Sequence, residues 1–263
     1  FKWQQIPEIL QSLGWSWQPF GGSGYLVLVV LLALVIVLSA GLILLPLLWH
    51  RSESANGQTP NRAQVSEWRM AVGGRRAVIF LYFALLGLGF LFVEIPLLQR
   101  FILYLGQPAY AFAVVTSALL LAAGVGSAYL SHRLSLRLVL PLISLLALIY
   151  PWLLPQLFDA TLKLPFAGRV LITVTALFPL GVLLGLPFPG GLSLIAQESP
   201  ELVPWVWAVN GCASVISAVL AAMIALTWGF ALVLWSAALA YGLAWVMLIL
   251  MEGRRSVTLI QSE

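Results

Sequence analysis

The sequence predicts an all-α, polytopic transmembrane bundle of about seven spans, preceded by a short interfacial amphipathic helix. Three observations predict it. Hydrophobic residues make up 62% of the 263 and charged residues only 8%. Mean hydropathy is +1.02. The apolar residues also gather in runs of about 20, the length an α-helix needs to cross the hydrocarbon core. Soluble domains carry about a quarter charged residues, so most of this surface must face lipid.

Residues 1–24 differ from the rest of the chain. Ile6, Ile9, Leu10 and Leu13 recur at helical spacing beside Trp3, Trp15 and Trp17, and Gly21-Gly22-Ser23-Gly24 closes the segment. The pattern fits an amphipathic helix lying in the interface, with tryptophans at headgroup depth. An ordinary linker is the alternative. A transmembrane domain spans 25–251, and a polar tail covers 252–263.

The spans fall at 25–49, 77–98, 109–130, 138–158, 169–186, 203–228 and 230–251. The first is almost pure Leu, Val and Ala. The fourth is expected to be broken by Pro141, Pro151 and Pro155, since a proline removes one backbone donor and crowds the preceding turn. The fifth is expected to end at Pro187, Pro189, Gly190 and Gly191. The last two are joined at Trp228-Gly229, which makes them an antiparallel hairpin. The one clearly hydrophilic loop, 50–76, reads as disordered from its Ser, Asn, Gln, Gly and Pro content.

Charge sets orientation. Arg51, Arg62, Arg69, Arg75, Arg76, Arg133, Arg137, Arg254 and Arg255 share one side; Lys2, Arg100, Lys163 and Arg169 share the other. Positive residues stay in the cytoplasm. The C-terminus is therefore expected in the cytoplasm and the N-terminal segment outside, in a cell's inner (plasma) membrane. The net charge of +4 is small and lies beside spans, so it does not signal nucleic-acid binding. The single Cys212 sits among small residues and forms no intramolecular disulfide.

Glu94 is the sharpest single residue. An ionisable group inside a span costs roughly 2.5–3.5 kcal/mol on insertion scales and needs a partner. Pro96 leaves the Phe92 carbonyl without its usual donor, so the backbone nearby is expected to bend and be wet. A proton or cation relay, a ligand contact and a structural carboxyl all remain open. Arg100 lies six residues on, on a different helix face, and is expected to snorkel to headgroups. Gly181 and Gly185 make a small-xxx-small face for close helix packing. If the Pro187–Gly191 backbone lies at membrane depth it must line a cavity or be buried, as in transporter sites; a surface turn is the other reading. Asn210, Ser214, Ser217 and Ala218 form a polar and small stripe, either a helix interface or a site. Ser117, Ala122, Ala123, Gly124, Gly126 and Ser127 make a similar stripe on the third span. The candidate polar and helix-break site is thus Glu94, Pro96, Arg100, Gly185, Pro187, Pro189, Gly190, Asn210 and Ser214. There is no CxxC, HExxH or Walker loop. No catalytic, cofactor-binding or metal-ligating set is expected in this chain.

Three motifs carry a family resemblance. The run Tyr82-Phe83-Ala84-Leu85-Leu86-Gly87-Leu88-Gly89-Phe90-Leu91-Phe92-Val93-Glu94-Ile95-Pro96-Leu97-Leu98-Gln99-Arg100-Phe101 is one. Gly185-Leu186-Pro187-Phe188-Pro189-Gly190-Gly191-Leu192 and Pro204-Trp205-Val206-Trp207-Ala208-Val209-Asn210-Gly211 are the others. They resemble the C-terminal membrane region of bacterial membrane-integrated spermidine-synthase-like proteins, over nearly the whole chain. The resemblance implies an aminopropyltransferase- or methyltransferase-like α/β domain N-terminal to these spans, with any S-adenosylmethionine-type cofactor held there. None of that domain's binding residues has a counterpart here. The chain opens Phe1-Lys2-Trp3 without methionine, and the expectation is a segment of a larger protein. Membrane lipids and other membrane subunits are the expected partners. One conflict stands: such a domain belongs in the cytoplasm, whereas the arginines place Phe1 outside.

Three functions stand as alternatives, the first of them leading. The first is an anchor or scaffold module, as a subunit of a larger membrane complex. The second is a transporter-like module with Glu94, the Pro187–Gly191 break and Asn210 around one cavity. The third is the membrane part of an enzyme acting on a lipid-soluble substrate.

Overall fold

Leu, Val, Ile and Ala fill the spans, and lipid leaves their backbone groups no partner except one another, so helices are the outcome. A computed structural model describes residues 23–50, 62–131, 133–197 and 199–260, with side chains placed within 24–42 and 74–252. The elements are α1 (Ser23–His50), α2 (Arg62–Leu105), α3 (Pro108–Val125), α4 (Leu136–Thr161), α5 (Phe166–Leu184), α6 (Pro187–Ala196), α7 (Val203–Trp228) and α8 (Phe230–Ile260). A π-helical turn, Gly126–Leu130, extends α3, and a 3-10 turn, Pro200–Leu202, precedes α7. Among the described residues seven spans are long and apolar enough to cross a membrane, with α5 and α6 together forming the fifth. The all-α polytopic bundle is thus what the chain forms.

Three local expectations are corrected. Residues 62–76 are the first turns of α2 rather than part of a hydrophilic loop; residues 51–61 lie outside the described residues. The fourth span is not broken: α4 is one helix of 26 residues with Pro141, Pro151 and Pro155 inside it. Pro141 removes the donor for the Arg137 carbonyl, and the indole Nε1 of Trp245 on α8 donates to that carbonyl instead, at 3.0 Å. Nor do the prolines end the fifth span. The chain leaves helix only at Gly185-Leu186 and re-enters it at Pro187, the first helical position, where a missing N–H costs nothing. The expected interfacial helix over 1–24 lies outside the described residues except for its last two, which begin α1.

The central helix is α2. It packs on α7, α8, α3, α5 and α6, while α4 closes the bundle between α8 and α5. Its buried face runs through Tyr82, Phe83, Val93, Leu97, Phe101 and Tyr104. α1 packs chiefly on α7. The α7–α8 hairpin turns at Gly229, whose φ of 89° favours glycine.

A candidate polar and helix-break site

Four of the nine candidate residues, Gly185, Pro187, Pro189 and Gly190, lie at or beside the break in the fifth span. Gly185 meets α3 so closely that a Cβ there would lie 2.0 Å from the Ala123 carbonyl oxygen. Gly126 on α3 is the counterpart: its Cβ would lie 2.1 Å from the Val182 oxygen. The two small-residue stripes therefore face each other, backbone on backbone. Beyond the break, the Tyr82 hydroxyl donates to the Pro187 carbonyl at 2.9 Å, buried between α2 and α6. Gly191 lets the Tyr82 ring pass, and Phe188 sits edge-on to Phe83 and Trp207. Gly190 abuts Leu136 at the start of α4. Pro189 is half-buried on the same turn of α6. That contact with Leu136 places the break toward the arginine-rich end of the bundle.

Asn210 and Ser214 lie against Gly87. A Cβ on Gly87 would strike the Asn210 carbonyl oxygen at 2.3 Å. Ser214 Oγ donates to the Asn210 and Gly87 carbonyls, and Ser217 Oγ to that of Leu88 at 2.7 Å. Gly89, two residues on, receives the Tyr241 ring of α8. Glycines 87 and 89 thus let α2 sit in the cleft of the α7–α8 hairpin.

Glu94 belongs to a third contact. Thr116 Oγ1 on α3 donates to its Oε1 at 3.3 Å, and the side chain is half-buried. No basic group pairs with it among the described residues. Pro96, two residues on, is buried. Arg100 does not pair with Glu94 either; its guanidinium lies over the Phe230 ring, 5.9 Å from the centroid, at the opposite end from the arginine cluster. That is a cation–π contact at the end of the helix.

Helix rise separates these contacts. Tyr82, Gly87 and Glu94 are residues of one helix, so the Pro187 contact is about 18 Å and the Asn210 contact about 10 Å from Glu94 along its axis. The nine residues are thus distributed over several separate helix contacts: the break against α3, α2 and α4, Asn210 and Ser214 against Gly87, Glu94 against Thr116, and Arg100 against Phe230.

Several contributing residues carry no sequence signal. Tyr82 and Thr116 are single polar atoms in apolar runs, and their partners are remote in sequence. At the far end Tyr104 stacks on Phe158 with ring centroids 4.4 Å apart, and its hydroxyl meets Thr161 Oγ1 at 2.7 Å. Arg169 Nη1 donates to the Tyr104 carbonyl at 2.8 Å, capping the end of α2. At the arginine-rich end Arg137 pairs with Glu252 at 2.6 Å. A shallow depression lies nearby, lined by Arg75, Ile79, Ile195, Ser199, Met251 and Glu252. Among the described residues no group of three or more His, Cys, Asp or Glu is placed to hold a metal ion. Comparison with protein-family models, with curated proteins and with solved structures finds no match to this chain.

Proposed function

We propose that this bundle is the membrane anchor and scaffold module of a spermidine-synthase-like membrane protein, and works as a subunit of a larger complex in a bacterial inner membrane. The observation that carries the reading is the distribution of the polar residues. Separate groups serve separate helix contacts, and apart from the Thr116–Glu94 pair their interhelical donors Tyr82, Ser214 and Ser217 end on backbone carbonyls of a neighbouring helix. Interhelical hydrogen bonds and glycine-mediated approach are how helices associate in lipid. A transporter would bring such groups around one midplane cavity. The helix break is the observation that favours transport, but it lies near the arginine-rich end, where Gly190 touches the first residue of α4.

By this reading the C-terminus is cytoplasmic, the family's α/β domain lies N-terminal to α1, and lipid covers the outer faces. Thiol access tests it. Cys212, whose Sγ lies 4.0 Å from the Ser39 carbonyl oxygen, sits two residues before Ser214. The scaffold reading predicts no labelling of Cys212 by a charged methanethiosulfonate in intact membranes. It predicts none at cysteines replacing Asn210 or Thr116 in a Cys212→Ala chain. Rapid labelling at Asn210 and Thr116 together would mean a shared aqueous path, and the transporter reading would replace this one.

A further inference from the structure

Arg169 lies in the first turn of α5, about 5 Å inside its start. Its guanidinium is held in place. Nη1 donates to the Tyr104 carbonyl, and Tyr104 is itself fixed by stacking on Phe158 and by the Thr161 hydroxyl. The charge, however, is unmatched. Among the described residues no carboxylate pairs with Arg169; Asp159, in the last turn of α4, is exposed and makes no ion pair. The Nε atom is buried and has no acceptor among the described residues. A partly buried charge needs a counter-charge, and a buried donor needs an acceptor.

The surrounding backbone adds positive potential. The Nη1 bond ties the start of α5 to the last turn of α2, three residues before Gln107, the N-cap of α3. The ring of Tyr110, in the first turn of α3, lies 5.4 Å from that of Phe166, the first residue of α5, so the two helix N-termini are neighbours. Neither has a side-chain cap or an acidic residue in its first turn. Both dipoles therefore present their positive ends beside the unpaired guanidinium. Tyr110, Phe166 and Leu103 are exposed at the same level, an apolar and aromatic surface of the kind that sits at headgroup depth.

We propose that Arg169 binds the phosphodiester of an anionic phospholipid at this end of the bundle. A phosphodiester oxygen supplies both the missing negative charge and the missing acceptor, and the acyl chains lie along the exposed rings. A zwitterionic headgroup also carries an ammonium, which no carboxylate paired with Arg169 receives, so anionic lipid is preferred. The assignment is independent of the scaffold reading.

Lipid titration tests it, with the full-length protein delipidated in mild detergent and read by native mass spectrometry. Phosphatidylglycerol should bind about tenfold more tightly than phosphatidylcholine. Arg169→Gln retains an amide donor for Tyr104 and should weaken phosphatidylglycerol about tenfold, the effect of one hydrogen bond to a charged group. Arg169→Lys should weaken it less, and Arg100→Gln, at the same end over Phe230, should leave it unchanged. A phosphatidylglycerol with a diazirine in its headgroup locates the site in the unaltered protein, so a variant that does not fold leaves the proposal testable. The expected links fall within residues 103–110 and 162–169. Links confined to the arginine-rich end would overturn the proposal, as would equal affinity for the two lipids or wild-type binding by folded Arg169→Gln. Displacement of the lipid by millimolar inorganic phosphate would assign the corner to a soluble anion and overturn it too.

Discussion

Gly126 and Gly185 each stand where a side chain would collide with the backbone of the facing helix, whereas Gly124 and Gly211 have nothing within 4 Å. Alanine at either of the first two forces α3 and α5 apart. Overpacking of this kind costs about 1–3 kcal/mol. Gly124→Ala should be neutral or stabilise by up to about 1 kcal/mol, the helix-propensity gain. Thermal unfolding of the three variants in one detergent gives the order. Tyr82→Phe removes the donor to the Pro187 carbonyl and should cost about 0.5–1.5 kcal/mol, read in the same assay. The glycine stripe was legible because small residues at i and i+4 have few other uses in a span. Tyr82 was not legible: its carbonyl partner lies 105 residues away in sequence, and no periodicity points to a carbonyl.

At the scale of elements, prolines decide the outcome through what replaces the lost hydrogen bond. At Pro141 in α4, Trp245 serves the Arg137 carbonyl that the proline leaves free, and the helix runs on. Trp245→Phe should therefore destabilise the chain by about 1 kcal/mol. In a Pro141→Ala chain, where the backbone donor is restored, the same change should cost much less. A double-mutant cycle on unfolding free energy measures the difference, and equal costs in both backgrounds would refute the link. Each proline, read alone, predicts a broken helix, and only the packing of α8 beside α4 reveals the substitute donor. Pro187 differs for another reason, since a residue that stops one helix also starts the next. α1 is the least embedded element, with only 11% of its span buried. Deleting it should shift the melting temperature of the remaining bundle by no more than a few degrees, roughly the effect of about 1 kcal/mol in a domain of this size.

For the whole molecule, span count and order were legible because a run of about 20 apolar residues has few stable alternatives to a membrane helix. The grouping of polar residues was not. Which helices become neighbours depends on three-dimensional packing, and Glu94, Asn210 and Pro187 serve three different pairs. Orientation follows from the arginines alone. A cysteine at Ser135 should react with an impermeant maleimide only after the cytoplasmic face is opened, and one at Lys163 in intact cells. The reverse pattern would invert the bundle and remove the conflict between the arginine bias and a cytoplasmic N-terminal domain.

The scaffold claim is tested most directly by native mass spectrometry of the gently solubilised protein from its own membrane, with peptide mapping of every species. The account predicts that the chain travels with other membrane subunits at fixed stoichiometry. A chain that travels alone, with no companion subunit at any detergent concentration that keeps it folded, would contradict it.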